Sequence, residues 1–143
     1  MVRNYQLYLI EDEVAALYFG REHILYRLFE EHENSHGELK QIISRQISYI
    51  TKPLQVVKIH QMLEKHLGKK ASQGTYFIDL SEKKSIAHLK VGENRIWIKA
   101  GGSYEAETAF FEVLRKAESS FLALDLDHQR FGWLKPIKDR KFV

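Results

Sequence analysis

Residues 75–100 read TYFIDLSEKKSIAHLKVGENRIWIKA, and this stretch decides the fold. Three of its segments alternate side chains with a period of two: TYFIDL (75–80), IAHLKV (86–91) and RIWIKA (95–100). Each segment is therefore typical of a strand with one buried face. The loop GEN (92–94) joins the last two, and its glycine and asparagine can both adopt a positive φ. We predict three consecutive antiparallel strands.

Further strands and helices are predicted on both sides of this stretch. NYQLYLI (4–10) alternates in the same way and predicts a strand in the interior of the sheet. FLALDL (121–126) predicts another strand, and RFGWLKP (130–136) predicts a short last one that ends at Pro136. Apolar residues at helical spacing, bounded by glycines and by Lys52-Pro53, predict helices within 11–19, 21–37, 38–53, 54–68 and 101–120.

The order of the predicted elements, β-α-α-(α)-β-β-β-α-β(-β), defines an α+β chain. We predict a mixed, largely antiparallel sheet of five or six strands packed with helices, in a single domain over residues 1–143. The composition agrees, since 44% of the 143 residues are hydrophobic and 29% are charged. No segment approaches the roughly 20 apolar residues of a membrane helix, and the N-terminus does not resemble a cleavable signal. We therefore expect a cytoplasmic protein without membrane contact.

Cysteine content and charge limit the kinds of functional site that this chain can contain. The chain has no cysteine, which removes disulfides, thiolate zinc sites and cysteine nucleophiles. Its 22 basic residues nearly balance 19 acidic ones, and the net charge is +3, so we interpret the surface as mixed and solvated. Only KPIKDRK (135–141) concentrates positive charge, and we expect no direct contact with nucleic acid.

Residues 32–36 read HENSH, which matches the His-Glu-x-x-His pattern of zinc hydrolases. The pattern binds zinc when both histidines lie on the inward face of one continuous helix. Here Gly37 follows at once and favours the end of the helix, so we expect no metal site. A zinc hydrolase that uses His32, Glu33 and His36 stays an alternative, because candidate third ligands lie downstream at His60 and Glu64.

Gly101-Gly102-Ser103 lies where a strand passes into a helix, a junction that can offer backbone N–H groups to a phosphate. Ser103 is the predicted N-cap of that helix. The element order is similar to that of the GNAT acetyltransferases, which bind a pyrophosphate at this junction, so a small GNAT-like acyltransferase is a second alternative. The loop pattern of that superfamily is absent, because Ile98 stands where its cation belongs. A tight turn and a capped helix explain the glycines without a ligand.

Asp125 and Asp127 alternate with Leu124 and Leu126, which predicts that both carboxylates lie on the polar face of one strand. Two carboxylates there could bind a metal. We interpret them instead as solvated side chains.

The short helices carry more apolar residues than one buried face needs. In EVAALYFG (13–20) the apolar residues surround the helix, which leaves Val14 and Tyr18, four apart, as a candidate exposed pair. In the segment 38–53, a core face of isoleucines turns Gln46 and Tyr49 away from the core. Exposed tyrosines beside small apolar and amide groups suit a protein interface, although both could instead pack under a loop.

Four segments carry a family resemblance: YFGRE (18–22), QISYITKP (46–53), YEAETAFFEVLRK (104–116) and the C-terminal segment from Phe121. With them the chain resembles, over nearly its whole length, the SirA family of sporulation inhibitors of replication in Bacillus-type bacteria. HENSH lies outside these segments.

The resemblance implies a cytoplasmic regulator without enzymatic activity, cofactor or small-molecule substrate. It implies that the protein binds domain I of the replication initiator DnaA and so blocks initiation during sporulation. The family's contact surface, carried over by matching segments, corresponds to Val14, Tyr18, Gln46 and Tyr49. Val14 departs from the family pattern, which can place a larger aromatic residue at this position.

Overall fold

The computed structural model describes residues 2–135. Pro136, the predicted end of the last strand, lies outside the described residues. The predicted basic segment 135–141 lies outside them too, apart from Lys135.

Six strands and five α-helices make up the described part of the chain. In order they are β1 (Val2–Leu9), α1 (Asp12–Leu17), α2 (Glu22–Asn34), α3 (Gly37–Ile50), α4 (Val56–Leu67), β2 (Thr75–Leu80), β3 (Ser85–Val91), β4 (Ile96–Gly102), α5 (Glu105–Ala117), β5 (Phe121–Asp125) and β6 (Arg130–Trp133). A short 3-10 turn, Ser81–Lys83, joins β2 to β3. The predicted α+β class is confirmed. Four helices lie between β1 and β2, in agreement with the four helical segments predicted there, whereas the predicted element order counted only two or three.

The strands form one sheet in the order β2-β3-β4-β1-β5-β6. Each neighbouring pair of these described strands is antiparallel, so the prediction of a largely antiparallel sheet is confirmed with no parallel pair among them. The first strand lies in the interior, as predicted, with Tyr5 opposite Ile98 of β4 and Leu7 opposite Ala123 of β5. β1 therefore joins the hairpins of the C-terminal half into one sheet.

Helices cover both faces of this sheet. Successive residues at the end of β1 are therefore buried alternately in two different cores. Leu7 and Leu9 pack in the core under α4 and α5, together with Ile59 and Phe110 as typical members. Tyr8 and Ile10 pack in the core under α1, α2 and α3, with members such as Phe29 and Ile43. On this second face the side chains of His88, Lys90 and Lys99 stay exposed, so the helices leave the β3 and β4 part of the sheet open.

A buried ion pair fixes α5 to β1. The side chains of Arg3 and Glu107 are 2% and 1% exposed, and Arg3 Nε donates a hydrogen bond of 2.9 Å to Glu107 Oε2. The Tyr5 hydroxyl donates to the same carboxylate. Burial and then this hydrogen bond raise the pKa of Tyr5 above its ordinary value, so the phenol stays a neutral donor.

The N-terminus of α5 is capped from another strand, so the prediction that Ser103 is its N-cap is wrong. The Ser103 hydroxyl donates instead to the carbonyl of Lys83, at 2.8 Å. Ser85 of β3, buried, accepts the backbone N–H of Ala106 at 2.9 Å and donates to the carbonyl of Ser103 at 2.6 Å. A serine that is remote in sequence thus satisfies the helix terminus.

Candidate functional site

The candidate site is the outer surface of α1, α2 and α3, which we call the helical surface. Tyr18 and Gln46 line one depression of about 420 Å³ between these helices. Its other lining residues are Ile24, Leu25, Arg27, Leu28, Glu31 and Ile50. The depression is thus largely apolar, with one cation and one carboxylate, which suits a side chain from a protein partner.

Local hydrogen bonds hold α1 against the C-terminal end of α3. The N–H of Glu11 donates to the carbonyl of Ile50 at 2.9 Å, and Ile10 forms an isolated bridge with Thr51. Ala15 is fully buried and anchors the helix on the sheet. These contacts hold the start of α1 at the end of α3, and Tyr18, the C-cap of α1, lines the same depression as Gln46 and Ile50 of α3.

Val14 and Tyr18 are only partly exposed, because both pack against the core of the second sheet face. The Arg21 guanidinium lies 5.4 Å from the centre of the Tyr18 ring and donates to the carbonyl of Leu17 at 2.8 Å. Arg21 thus links the Tyr18 ring to the last turn of α1 at the edge of the depression. Val14 does not line the depression.

The most exposed apolar residues of this region include two that the pattern of α1 did not single out. Leu17 is 64% exposed and Phe19 is 61% exposed. The signal was present in EVAALYFG, where the apolar residues surround the helix. Periodicity alone could not tell which side is buried, since a helix of six residues has less than two turns.

Gln46 and Tyr49 lie on the exposed side of α3, as the helical spacing predicted. Ile43 and Ile47 are buried, whereas the Tyr49 side chain is 87% exposed. Tyr49 does not line the depression and lies one turn beyond Gln46. A tyrosine this exposed on an ordered helix presents a large apolar ring and a hydroxyl to a partner, and no rearrangement of the core is needed for contact.

HENSH is split between two helices. α2 ends at Asn34, Ser35 is its C-cap, and exposed His36 is the N-cap residue of α3. Gly37 therefore begins the next helix rather than closing the first one as predicted. His32 Nε2 lies 2.8 Å from the Ser44 hydroxyl oxygen. Within residues 2–135, no group of three or more histidine, cysteine, aspartate or glutamate residues is placed to hold a metal ion.

The glycine junction before α5 is closed by the protein itself. A Cβ on Gly102 would lie 1.8 Å from the Lys84 carbonyl oxygen, and the N–H of Ser103 already donates to that oxygen at 3.1 Å. The N–H of Ala106 is used by Ser85. Two of the backbone N–H groups that a pyrophosphate could use, those of Ser103 and Ala106, are therefore engaged.

Asp125 is buried, so its interpretation as a solvated carboxylate is wrong. It is 1% exposed, accepts from Arg130 Nη2 at 2.7 Å, and lies 2.9 Å from His128 Nδ1. Burial acts to raise the pKa of Asp125, but the hydrogen bonds from Arg130 and His128 outweigh it and hold the pKa below its ordinary value. Asp127 follows the strand, is exposed, and accepts from Asn4 Nδ2 at 3.3 Å. The two carboxylates do not form one site.

No helix within residues 2–135 combines the length and apolar character that crossing a bilayer requires.

The geometry defines a class: a small α+β protein with an antiparallel sheet, whose candidate site is an exposed helical surface. The family model of the "Sporulation inhibitor of replication protein SirA" matches residues 3–138 of the chain. The SirA protein of Bacillus subtilis (strain 168) is 43% identical over 148 aligned positions, which cover 100% of both chains. The chain belongs to the SirA family.

Proposed function

We propose that this protein inhibits the initiation of DNA replication during sporulation, by binding domain I of the initiator protein DnaA through the helical surface. Family membership supports the inhibition, because the relative from Bacillus subtilis carries the name of a sporulation inhibitor of replication. The observation that carries the choice of surface is the 87% exposure of Tyr49, one turn beyond Gln46 on α3.

The helical surface has the features of a protein interface. Tyr18 and Tyr49 are aromatic anchors of the kind that contribute most to binding. Gln46 supplies an amide at the edge of the apolar depression that Tyr18 also lines. The surface is further enlarged by Leu17 and Phe19, which are largely exposed.

Inhibition through this surface requires no catalysed reaction. A domain that covers the patch through which DnaA domain I contacts itself or other replication proteins removes that patch by occupancy alone. A few buried anchors and a polar rim give micromolar to nanomolar affinity, which corresponds to about −8 to −12 kcal/mol. We propose accordingly that the protein acts in the cytoplasm as a binding protein and not as an enzyme.

The experiment is calorimetric titration of the full chain with purified DnaA domain I. Tyr49→Ala should weaken binding by about 30-fold, since hot-spot truncations cost about 2 kcal/mol or more. Gln46→Ala should weaken binding less, because an amide at the rim is only partly desolvated. Val14→Ala should have the smallest effect of the predicted contacts, as Val14 is partly buried and lies outside the depression.

Two control variants lie on α4, which covers the opposite face of the sheet. Val57→Ala removes an apolar side chain that is 71% exposed, and Gln61→Ala removes an exposed helical amide. Both should bind DnaA domain I as the parent does. If Tyr49→Ala and Tyr18→Ala remain folded by circular dichroism and bind as tightly as these controls, the proposed surface is wrong.

A further inference from the structure

A second depression lies beside α3 and shares no lining residue with the depression that Tyr18 and Gln46 line. It has a volume of about 310 Å³, at the lower end of the range for small-molecule sites. Its polar lining residues are His32, Ser44, Ser48, Thr51, Asn94 and Arg95. None of the residues that line it is an aspartate or a glutamate. The depression therefore offers mainly hydrogen-bond donors and positive charge.

Arg95 is a cation without a carboxylate partner among the described residues. Its Nη1 donates to the Tyr8 hydroxyl at 2.9 Å and to Gln6 Oε1 at 3.1 Å, both of which are neutral groups. No ion pair within residues 2–135 includes it. Its Nε and Nη2 make no hydrogen bond in this part of the chain, so their N–H groups remain available to a ligand. A half-buried guanidinium normally has a negative partner.

The guanidinium is held in place before any ligand arrives. It lies 4.7 Å from the centre of the Trp97 ring, in a cation–π arrangement. The Trp97 ring in turn packs on Gly92, where a Cβ would lie 2.6 Å from ring atom Cζ3. The close approach of the Trp97 ring thus requires a glycine at position 92. The hairpin pattern had suggested a positive φ for Gly92, but its φ is not positive. Tyr8, Gln6 and Trp97 hold the Arg95 side chain in place. Arg95 therefore loses less conformational entropy when a ligand binds.

Neutral donors complete the lining. The side chains of Ser48 and Asn94 make no hydrogen bond within residues 2–135 and are exposed at the depression. His32, the first residue of HENSH, lies against the Ser44 hydroxyl in the same wall. The neighbouring acidic residue Glu33 lines a separate depression. A group with several oxygens and a negative charge matches this set of donors.

We propose that the depression bounded by Arg95, His32, Ser48 and Asn94 binds a phosphate group. Arg95 makes two parallel N–H···O contacts through Nε and Nη2, and the hydroxyl of Ser48 and the amide of Asn94 donate to the remaining oxygens. The phosphate comes either as the free ion or as the phosphate of a mononucleotide. This depression shares no lining residue with the one that Tyr18 and Gln46 line, so the proposed phosphate site does not rest on the proposed binding to DnaA.

The test is a titration of the isotopically labelled full chain with inorganic phosphate, and in parallel with thymidine 5′-monophosphate, followed by amide chemical shifts. The expected result is a saturable shift of the amides around Ser48 and Asn94. Arg95→Gln should weaken binding by about tenfold or more, and Ser48→Ala by several-fold, since hydrogen bonds to charged groups are the strong ones. A nucleotide that binds more tightly than phosphate identifies the mononucleotide as the source, and equal affinity identifies the free ion.

Arg115→Gln is the matched control, because Arg115 lies on α5 at the opposite face of the sheet and pairs with Glu112 at 3.3 Å. It should bind phosphate as the parent does. If Arg95→Gln fails to fold, Ser48→Ala still tests the site. Ser48→Ala should fold normally, since Ser48 is exposed and makes no side-chain hydrogen bond within the described residues. The proposal is overturned if neither probe shifts these amides, or if folded Arg95→Gln and Ser48→Ala both bind as tightly as Arg115→Gln.

Discussion

Asp125 contributes stability through charged hydrogen bonds that exist only while it is ionised. Because its folded pKa lies below the ordinary value of 3.8, the folded state binds its proton more weakly than the unfolded chain does. This contribution is complete above the unfolded pKa and is lost as the pH falls through the folded one. We predict that the free energy of unfolding declines below about pH 4, in part through this carboxylate, and that urea denaturation across this range measures the decline.

Asp125→Asn should remove that part of the pH dependence. It should also lower the free energy of unfolding at pH 7 by about 1–3 kcal/mol, a range reduced because the Arg130 side chain is 44% exposed. Asp127→Asn is the control and should change little, since Asp127 is exposed with one long hydrogen bond to Asn4. Equal effects of the two substitutions would contradict the assignment of Asp125 as the buried partner.

Alternation along a strand could predict which residues share a face but not whether that face meets water. The alternation in LDLD predicted that Asp125 and Leu124 lie on opposite faces of the strand, and this prediction is confirmed. Both faces of this sheet are covered by helices, so the face that carries Asp125 is also buried. The pairing of Asp125 with Arg130 and His128 depends on the β5–β6 turn, which the alternation pattern does not describe.

At the scale of elements, the start of α5 depends on a residue of β3. Ser85→Ala removes the acceptor of the Ala106 N–H and the shorter of two hydrogen bonds to the Ser103 carbonyl, which then keeps only the bond of 3.2 Å from Arg3 Nη2. We predict a loss of about 1–2 kcal/mol in the free energy of unfolding. Ser103→Ala should cost less, because the partners of the Ser103 hydroxyl, the Lys83 carbonyl and the Glu105 carboxylate, lie at the exposed surface. The reverse order in denaturant titrations would restore Ser103 as the cap.

Gly102 is required by both conformation and space. It has a φ of +75°, and a Cβ there would lie 1.8 Å from the Lys84 carbonyl oxygen, a backbone atom that cannot move alone. Gly37 has a φ of +62°, but a Cβ there would meet no atom within 4 Å. Gly37→Ala should therefore cost about 1–2 kcal/mol, the strain of a left-handed residue. Gly102→Ala should cost clearly more in the same thermal unfolding measurement, and equal costs would show that the junction can relax.

The helices and strands were largely predictable because each one has its own period, whereas their termini and docking depend on distant residues. The spacing of Ile43 and Ile47 predicted the buried side of α3, and with it the exposure of Gln46 and Tyr49. No comparable signal exists in α1, which is too short for its period to be read. Likewise, Ser103 had the sequence context of an N-cap, and Ser85 took that role because β3 passes beside the helix end.

At the scale of the whole molecule, the position of β1 is the feature that local patterns could not specify. Its alternation predicted an interior strand, but its partners β4 and β5 lie about a hundred residues away and could not be identified from spacing. This placement explains both candidate sites. Covering β1, β5 and β6 with α1, α2 and α3 creates the helical surface, while the open part of the sheet beside α3 leaves Arg95 at the wall of the second depression.

The shared central strand predicts that the protein unfolds as one domain. Leu7 and Leu9 of β1 belong to one core and Tyr8 and Ile10 to the other, so neither helical layer can lose its packing without exposing the same strand. Ile59→Ala in the first core and Ile43→Ala in the second should each cost about 2–5 kcal/mol. Each variant should retain a single denaturation transition that is the same by tryptophan fluorescence and by far-ultraviolet circular dichroism. Separate transitions by the two probes in either variant would show instead that the two layers fold independently.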